Sequence, residues 1–201
     1  MTRPPTAVVA LICMAGLAGA PGCHERIEGS SVEVTVKTQG PANAWVTVDS
    51  VEIIECAQPA WSLQLISTAH AHGDDTSTKL GTTTVLPLDG GAAAFGTLEP
   101  AAGDFCEVRV TFGPADGDAE GLQDTGMQGL TFKLGPITIA DSVEAEASLP
   151  TPMEVSGGDA RALTVTVTLD GAPPGAAAAR EALRTAVTAV SAVAAVAAEA
   201  D

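Results

Sequence analysis

The chain has 201 residues, of which 46% are hydrophobic but only 3% aromatic, and it contains no tyrosine. Nine Lys and Arg against 25 Asp and Glu leave a formal charge of −16. That balance excludes nucleic acid as a partner, because phosphate binding needs clustered cations, and it excludes docking on an anionic membrane through basic residues.

Residues 1–22 read as an export signal. Arg3 supplies the positive start, and Ala7 to Ala20 is an uncharged run of 14 residues, too short to span a bilayer and suited to a signal core. Ala18-Gly19-Ala20 offers an ordinary cleavage site, but Pro21 would then be the first mature residue, where proline is usually rejected. Ala20-Pro21-Gly22-Cys23 instead resembles a bacterial lipobox, although Ala20 stands where Leu is usual. The resemblance implies lipid on Cys23 as the new N-terminus. With His24 rather than Asp following, it implies a place in the bacterial envelope, at the outer membrane, facing the periplasm or the cell surface. Residues 23–30 then form a short polar tether.

The body, residues 31–170, is a succession of strand patterns. Val32, Val34 and Val36 alternate with Glu33, Thr35 and Lys37, and Gly40-Pro41 marks a turn. Val46, Val48, Val51, Ile53 and Ile54 form a longer strand, whose change of parity near Asp49-Ser50 predicts a bulge or two short strands. Trp61, Leu63 and Leu65 alternate with polar or aliphatic neighbours. Thr82 to Leu88 contains Pro87, as an edge strand would. Asp89-Gly90-Gly91 reads as a hairpin turn into Ala93–Phe95. In Cys106 to Phe112, the residues Cys106, Val108, Val110 and Phe112 share one face. Leu130–Leu134 and Leu163–Leu169 are the next clear strands, with weaker ones at Ile137, Ile139 and Val143. No stretch of the body has helical periodicity. The pattern predicts an all-β fold, an antiparallel β-sandwich of about 8–10 short strands, with a barrel as the alternative.

After Pro173-Pro174-Gly175 the composition turns to alanine. The high helix propensity of residues 176–200 and an apolar stripe at Leu183, Val187, Val190, Val193 and Val196 predict an Ala-rich C-terminal helix over a tail, residues 171–201, outside the sandwich.

The four cysteines divide by position. Cys13 leaves with the signal and Cys23 takes lipid, so Cys56 and Cys106 remain as a pair in an exported chain. A disulfide is the economical reading. It closes a loop of about 50 residues and contributes on the order of 3–4 kcal/mol. A metal site using both sulfurs is the competing reading, although no C-x-x-C spacing accompanies it.

Two of the three histidines, His70 and His72, sit together after the Trp61 strand. In extended chain, side chains i and i+2 point the same way and their Cα atoms are roughly 6–7 Å apart, so both imidazoles can converge on copper or zinc. Asp74, Asp75, or a carboxylate of the 116–124 loop such as Asp116 or Asp118 would supply a third ligand. The competing reading is a polar loop with two solvated histidines. Asp116, Asp118 and Glu120 followed by Gly121 also resemble half of a calcium-binding EF-hand loop, but Met127 stands where its closing Glu should be.

The turn Pro100-Ala-Ala-Gly-Asp-Phe105, the Cys106–Phe112 strand, Gly113-Pro114, and Met127 ahead of Phe132-Lys133-Leu134 together resemble a segment of the MbnP-like periplasmic proteins, over about residues 96–135. That resemblance implies a link to methanobactin and copper handling. The family's copper site uses His and Trp, and residues 114–127 contain neither, so no ligand carries over.

The chain has no nucleophile elbow, P-loop or dinucleotide fingerprint, and the reading is that it is not an enzyme. Two functions are left: a lipoprotein that binds copper or zinc, or a structural or interaction lipoprotein that presents loops to a protein partner.

Overall fold

The computed structural model describes residues 29–57 and 78–193. They form a β-sandwich of two sheets, with one short helix. The strands are β1 (Ser31–Gln39), β2 (Ala44–Glu55), β3 (Lys79–Leu80), β4 (Thr84–Pro87), β5 (Ala92–Leu98), β6 (Gly103–Phe112), β7 (Phe132–Leu134), β8 (Ile137–Ile139), β9 (Val143–Val155), β10 (Ala160–Thr168) and β11 (Val187–Val193). The helix α1 spans Ala176–Arg184.

The smaller sheet has the order β11-β10-β1-β5. In the larger one β2 is the hub. Val46 pairs with both Leu86 and Phe132, and Val48 with both Thr84 and Phe112. A strand has two edges, so β4 lies along one edge of β2, and β7 followed by β6 along the other. β8 extends β7, β9 extends β6, and β3 pairs with β2 at Val51 and Glu52.

Period-two burial builds the core between the sheets. Val32, Val34 and Val36 of β1 share the inner layer with Leu163, Val165 and Val167 of β10, and all are fully or almost fully buried. From the other sheet come Val46, Val48, Val51, Val108, Val110 and Phe112. With so few aromatics, Phe105, Phe112 and Phe132 are the largest pieces of the core and each is at most 1% exposed. Burying such a side chain contributes about 1.5–3 kcal/mol.

Four features depart from the sequence pattern. First, β1 and β10 pair in parallel, Ser31 with Ala160 through Gln39 with Thr168, inside an otherwise antiparallel fold. Second, the Asp89-Gly90-Gly91 turn is not a hairpin. It carries the chain from β4, which pairs with β2, to β5, which pairs with β1, and Gly90 takes φ +110° there. Third, the expected strand through Cys106 has a register shift between Phe105 and Glu107, so Phe105 turns inward and Cys106 is only half-buried.

The fourth concerns the C-terminal stretch. The helix expected through residue 200 has nine residues, and the chain then continues as β11, paired antiparallel with β10 from Val167–Val187 to Arg161–Val193. Alternation won over alanine propensity: Val187 and Ala189 point inward while Thr188 and Val190 point out. Ala179 and Leu183 of α1 are fully buried in the main core. The segment after Gly171 is therefore part of the sandwich, not a tail beside it. The Trp61 strand pattern lies outside the described residues. Among the described residues no helix is long and apolar enough to cross a membrane.

Candidate functional site

Most of the segment between β6 and β7, residues 113–130, is an ordered excursion over the outer face of the larger sheet. Its own small core joins Ala115, Ala119 and Met127 to Val85 of β4, with Trp45, Leu122 and Leu130 packed around them. Backbone bonds stitch it down. The Val85 N–H donates to Glu120 O at 2.7 Å, and the Glu120 N–H donates to Thr83 O at 3.0 Å. Thr47, fully buried, donates its hydroxyl to Leu130 O at 2.9 Å. Lys133 Nζ donates to Thr125 O at 2.9 Å. Gly121 has φ +73°, and a Cβ there would lie 2.5 Å from Val85 O, so the close approach requires glycine.

This packing leaves Asp116, Asp118, Glu120 and Asp124 on the solvent side. A cleft of about 360 Å³ lies between Asp49, Ser50, Lys79, Gly81, Thr83 and Asp116. It adjoins a second hollow of about 300 Å³ that shares Gly81, Thr83 and Asp116 and reaches Asp118 and Glu120. Asp49 enters the cleft because of the β2 bulge, a register shift between Val48 and Ser50 against β6. Thr83 Oγ1 donates to Asp49 Oδ1 at 3.1 Å and holds that carboxylate in place. The parity change at Asp49-Ser50 is the sequence signal for the bulge, but it carries no hint of the cleft. Lys79, Gly81 and Thr83 have no signal of their own.

Of the sequence-predicted site residues, Asp116 and Asp118 are brought to this cleft region. His70, His72, Asp74, Asp75 and Cys23 lie outside the described residues. The chain re-enters the fold from the histidine stretch just below the cleft, where the Ile53 N–H donates to Thr78 O at 2.9 Å. Among the described residues there is no group of three or more His, Cys, Asp or Glu side chains that could hold a metal ion. The carboxylates of the excursion thus do not converge as an EF-hand loop would require.

Cys56 and Cys106 form the disulfide, with Cα atoms 4.7 Å apart. It joins the end of β2 to the start of β6, beside the Cys56 N–H that donates to Asp104 O at 2.8 Å.

On the outer face of the same sheet, Arg109 bridges two strands. Its Nε and Nη2 donate to Glu146 Oε1 at 2.9 and 2.8 Å, and its Nη1 reaches Glu52 Oε2 at 3.3 Å. The hydrogen bond to Glu146 raises the guanidinium pKa above its ordinary value; partial desolvation opposes this, and the charges of Glu146, Glu52 and Glu144 reinforce it. Such a cross-strand ladder organises the surface without offering a reactive group.

No protein family matches the chain. No curated protein and no solved structure matches it significantly.

Proposed function

We propose that this is an exported protein, lipid-anchored at Cys23, whose β-sandwich binds a transition metal, copper before zinc, through His70 and His72. The observation that carries the reading is the position of Asp116 and Asp49 in a cleft whose wall includes Gly81 and Thr83, the residues that closely follow the return of the histidine stretch at Thr78. Thr78 lies six positions after His72, a reach of at most about 20 Å. A cleft carboxylate is therefore within range as a third ligand. Asp74 and Asp75 are nearer in the chain and serve the same role. The Cys56–Cys106 disulfide supports export, because such bonds persist in oxidising compartments.

Metal analysis and titration of the mature protein, purified without chelator, tests this reading. Wild type should bind copper more tightly than zinc, in line with intrinsic affinity. His70→Ala and His72→Ala should each lose most of the binding, and the double variant little more, because both act on one ion. His24→Ala should bind as wild type. Affinity should fall below about pH 6.5, where free imidazoles protonate and cease to be ligands. Equal copper and zinc affinities in wild type and the double variant would leave the second reading, an interaction lipoprotein. The ordered excursion of residues 113–130 favours that second reading, because a long, tightly held surface loop is a feature of recognition surfaces.

A further inference from the structure

We infer that the anchored protein stands with its disulfide end toward the bilayer and its opposite end toward solvent, so that soluble partners meet the far end. The inference rests on lipidation at Cys23 and adds an orientation that lipidation alone does not fix.

Both ends of the described domain leave at one end of the smaller sheet. Ser31 pairs with Ala160, and Val193 pairs with Arg161, so the N- and C-terminal strands exit on either side of β10, about 10 Å apart. The entry point is fixed. The Ser30 hydroxyl donates to Pro100 O at 2.6 Å, and the Ser31 N–H donates to Asp159 O at 2.9 Å. The larger sheet contributes its Cys56–Cys106 end to the same base, where Glu55 pairs with Phe105 and Gly103 with Val155.

Ser30 lies seven positions after Cys23, a tether of at most about 25 Å. The nine residues of β10 make the sandwich about 30 Å tall from this base to the far turns. The tether is shorter than the domain is tall, so it holds the base near the bilayer and cannot reach around to the far end. Glu55, Asp104 and Glu154, exposed at or near the base, keep it from lying flat on an anionic surface.

The orientation has a second consequence. The outer edge of β11 is uncharged from Val187 to Val193, and among the described residues β11 pairs with β10 alone. Such an edge invites a second copy. Antiparallel pairing of two β11 strands would set the base of one copy beside the far end of the other. Two short tethers on one bilayer forbid that arrangement.

The test uses the lipidated protein in phosphatidylcholine vesicles that carry an energy-transfer acceptor on the headgroups. One donor dye is placed at Ser156→Cys, in the exposed turn at the base, and another, in a separate variant, at Asp89→Cys in the exposed turn at the far end. Both are labelled without reductant, and each is checked for a wild-type melt. Transfer from position 156 should exceed transfer from position 89 several-fold. Equal or reversed transfer in a chain that carries acyl mass on Cys23 overturns the orientation alone. A mature chain without acyl mass overturns the anchoring as well.

Discussion

The main core and the excursion at residues 113–130 are both ordered, and different physics orders them. In the core, strands such as β1 and β10 bury every second residue, and any apolar side chain of similar volume would serve. The excursion's apolar core is small, Ala115, Ala119 and Met127 with Val85 beneath, and it depends on particular bonds: Glu120 with Thr83 and Val85, Thr47 with Leu130, Lys133 with Thr125. Pattern tolerates substitution, whereas geometry at a named position does not. The excursion should therefore be the easier region to unfold by itself.

The largest effect should come from the end of the chain. Truncation after Gly171 removes Ala179, Leu183 and all of β11 from the core. It should abolish the cooperative thermal transition followed by circular dichroism; a cooperative melt lowered by only a few degrees would show that the core is complete at Leu169. Next is Phe112→Ala, which empties a fully buried site between the sheets. It should cost about 3–5 kcal/mol in denaturant unfolding.

Gly121→Ala probes the other side of the comparison. With φ at +73° and Val85 O 2.5 Å from the new Cβ, it should cost about 1–3 kcal/mol. The loss should show first as faster amide exchange in residues 113–130, with a global midpoint shift well below that of Phe112→Ala. A midpoint shift as large as that of Phe112→Ala would merge the two regions into one cooperative unit.

The smallest effect should be Arg109→Ala. The side chain is 37% exposed, so its ion pairs should contribute at most about 1 kcal/mol, and less as salt is added. Its folded pKa is raised, so its contribution is present below the unfolded value and is lost only as pH rises through the still higher folded one. The difference between Arg109→Ala and wild type should thus show no loss of guanidinium charge across the neutral and mildly alkaline range.

The sandwich is legible wherever one residue in two is apolar, as in β1, β2, β6 and β10. It is less so in β9, where Val143, Ala145, Leu149, Met153 and Val155 keep one parity but Pro150 and Pro152, on the outward positions, are residues a strand rarely holds. β11 reads as helix because alanine favours helix, while its pairing with β10 is set by residues some 20–30 positions away. The parallel pairing of β1 with β10 has no local signal at all. The disulfide is legible by elimination among four cysteines. Of the candidate site, Asp116 and Asp118 are legible as acidic residues of a turn-rich loop. Asp49, Lys79 and Thr83 are not, because a cleft between a bulge and a distant loop leaves no mark on either segment alone.

The parallel pair also sets an order of assembly. Ser31 at the start of β1 waits for Ala160, 129 positions later, since 160 − 31 = 129. β1 lies between β10 and β5, so the smaller sheet closes only after most of the chain is available. Contacts so distant in sequence slow folding, because the loop must be closed before the strand gains its partner. If the chain is exported as proposed, the delay has a use: β1 emerges with β5, β10 and β11 still to come, and the smaller sheet closes when its last strand arrives.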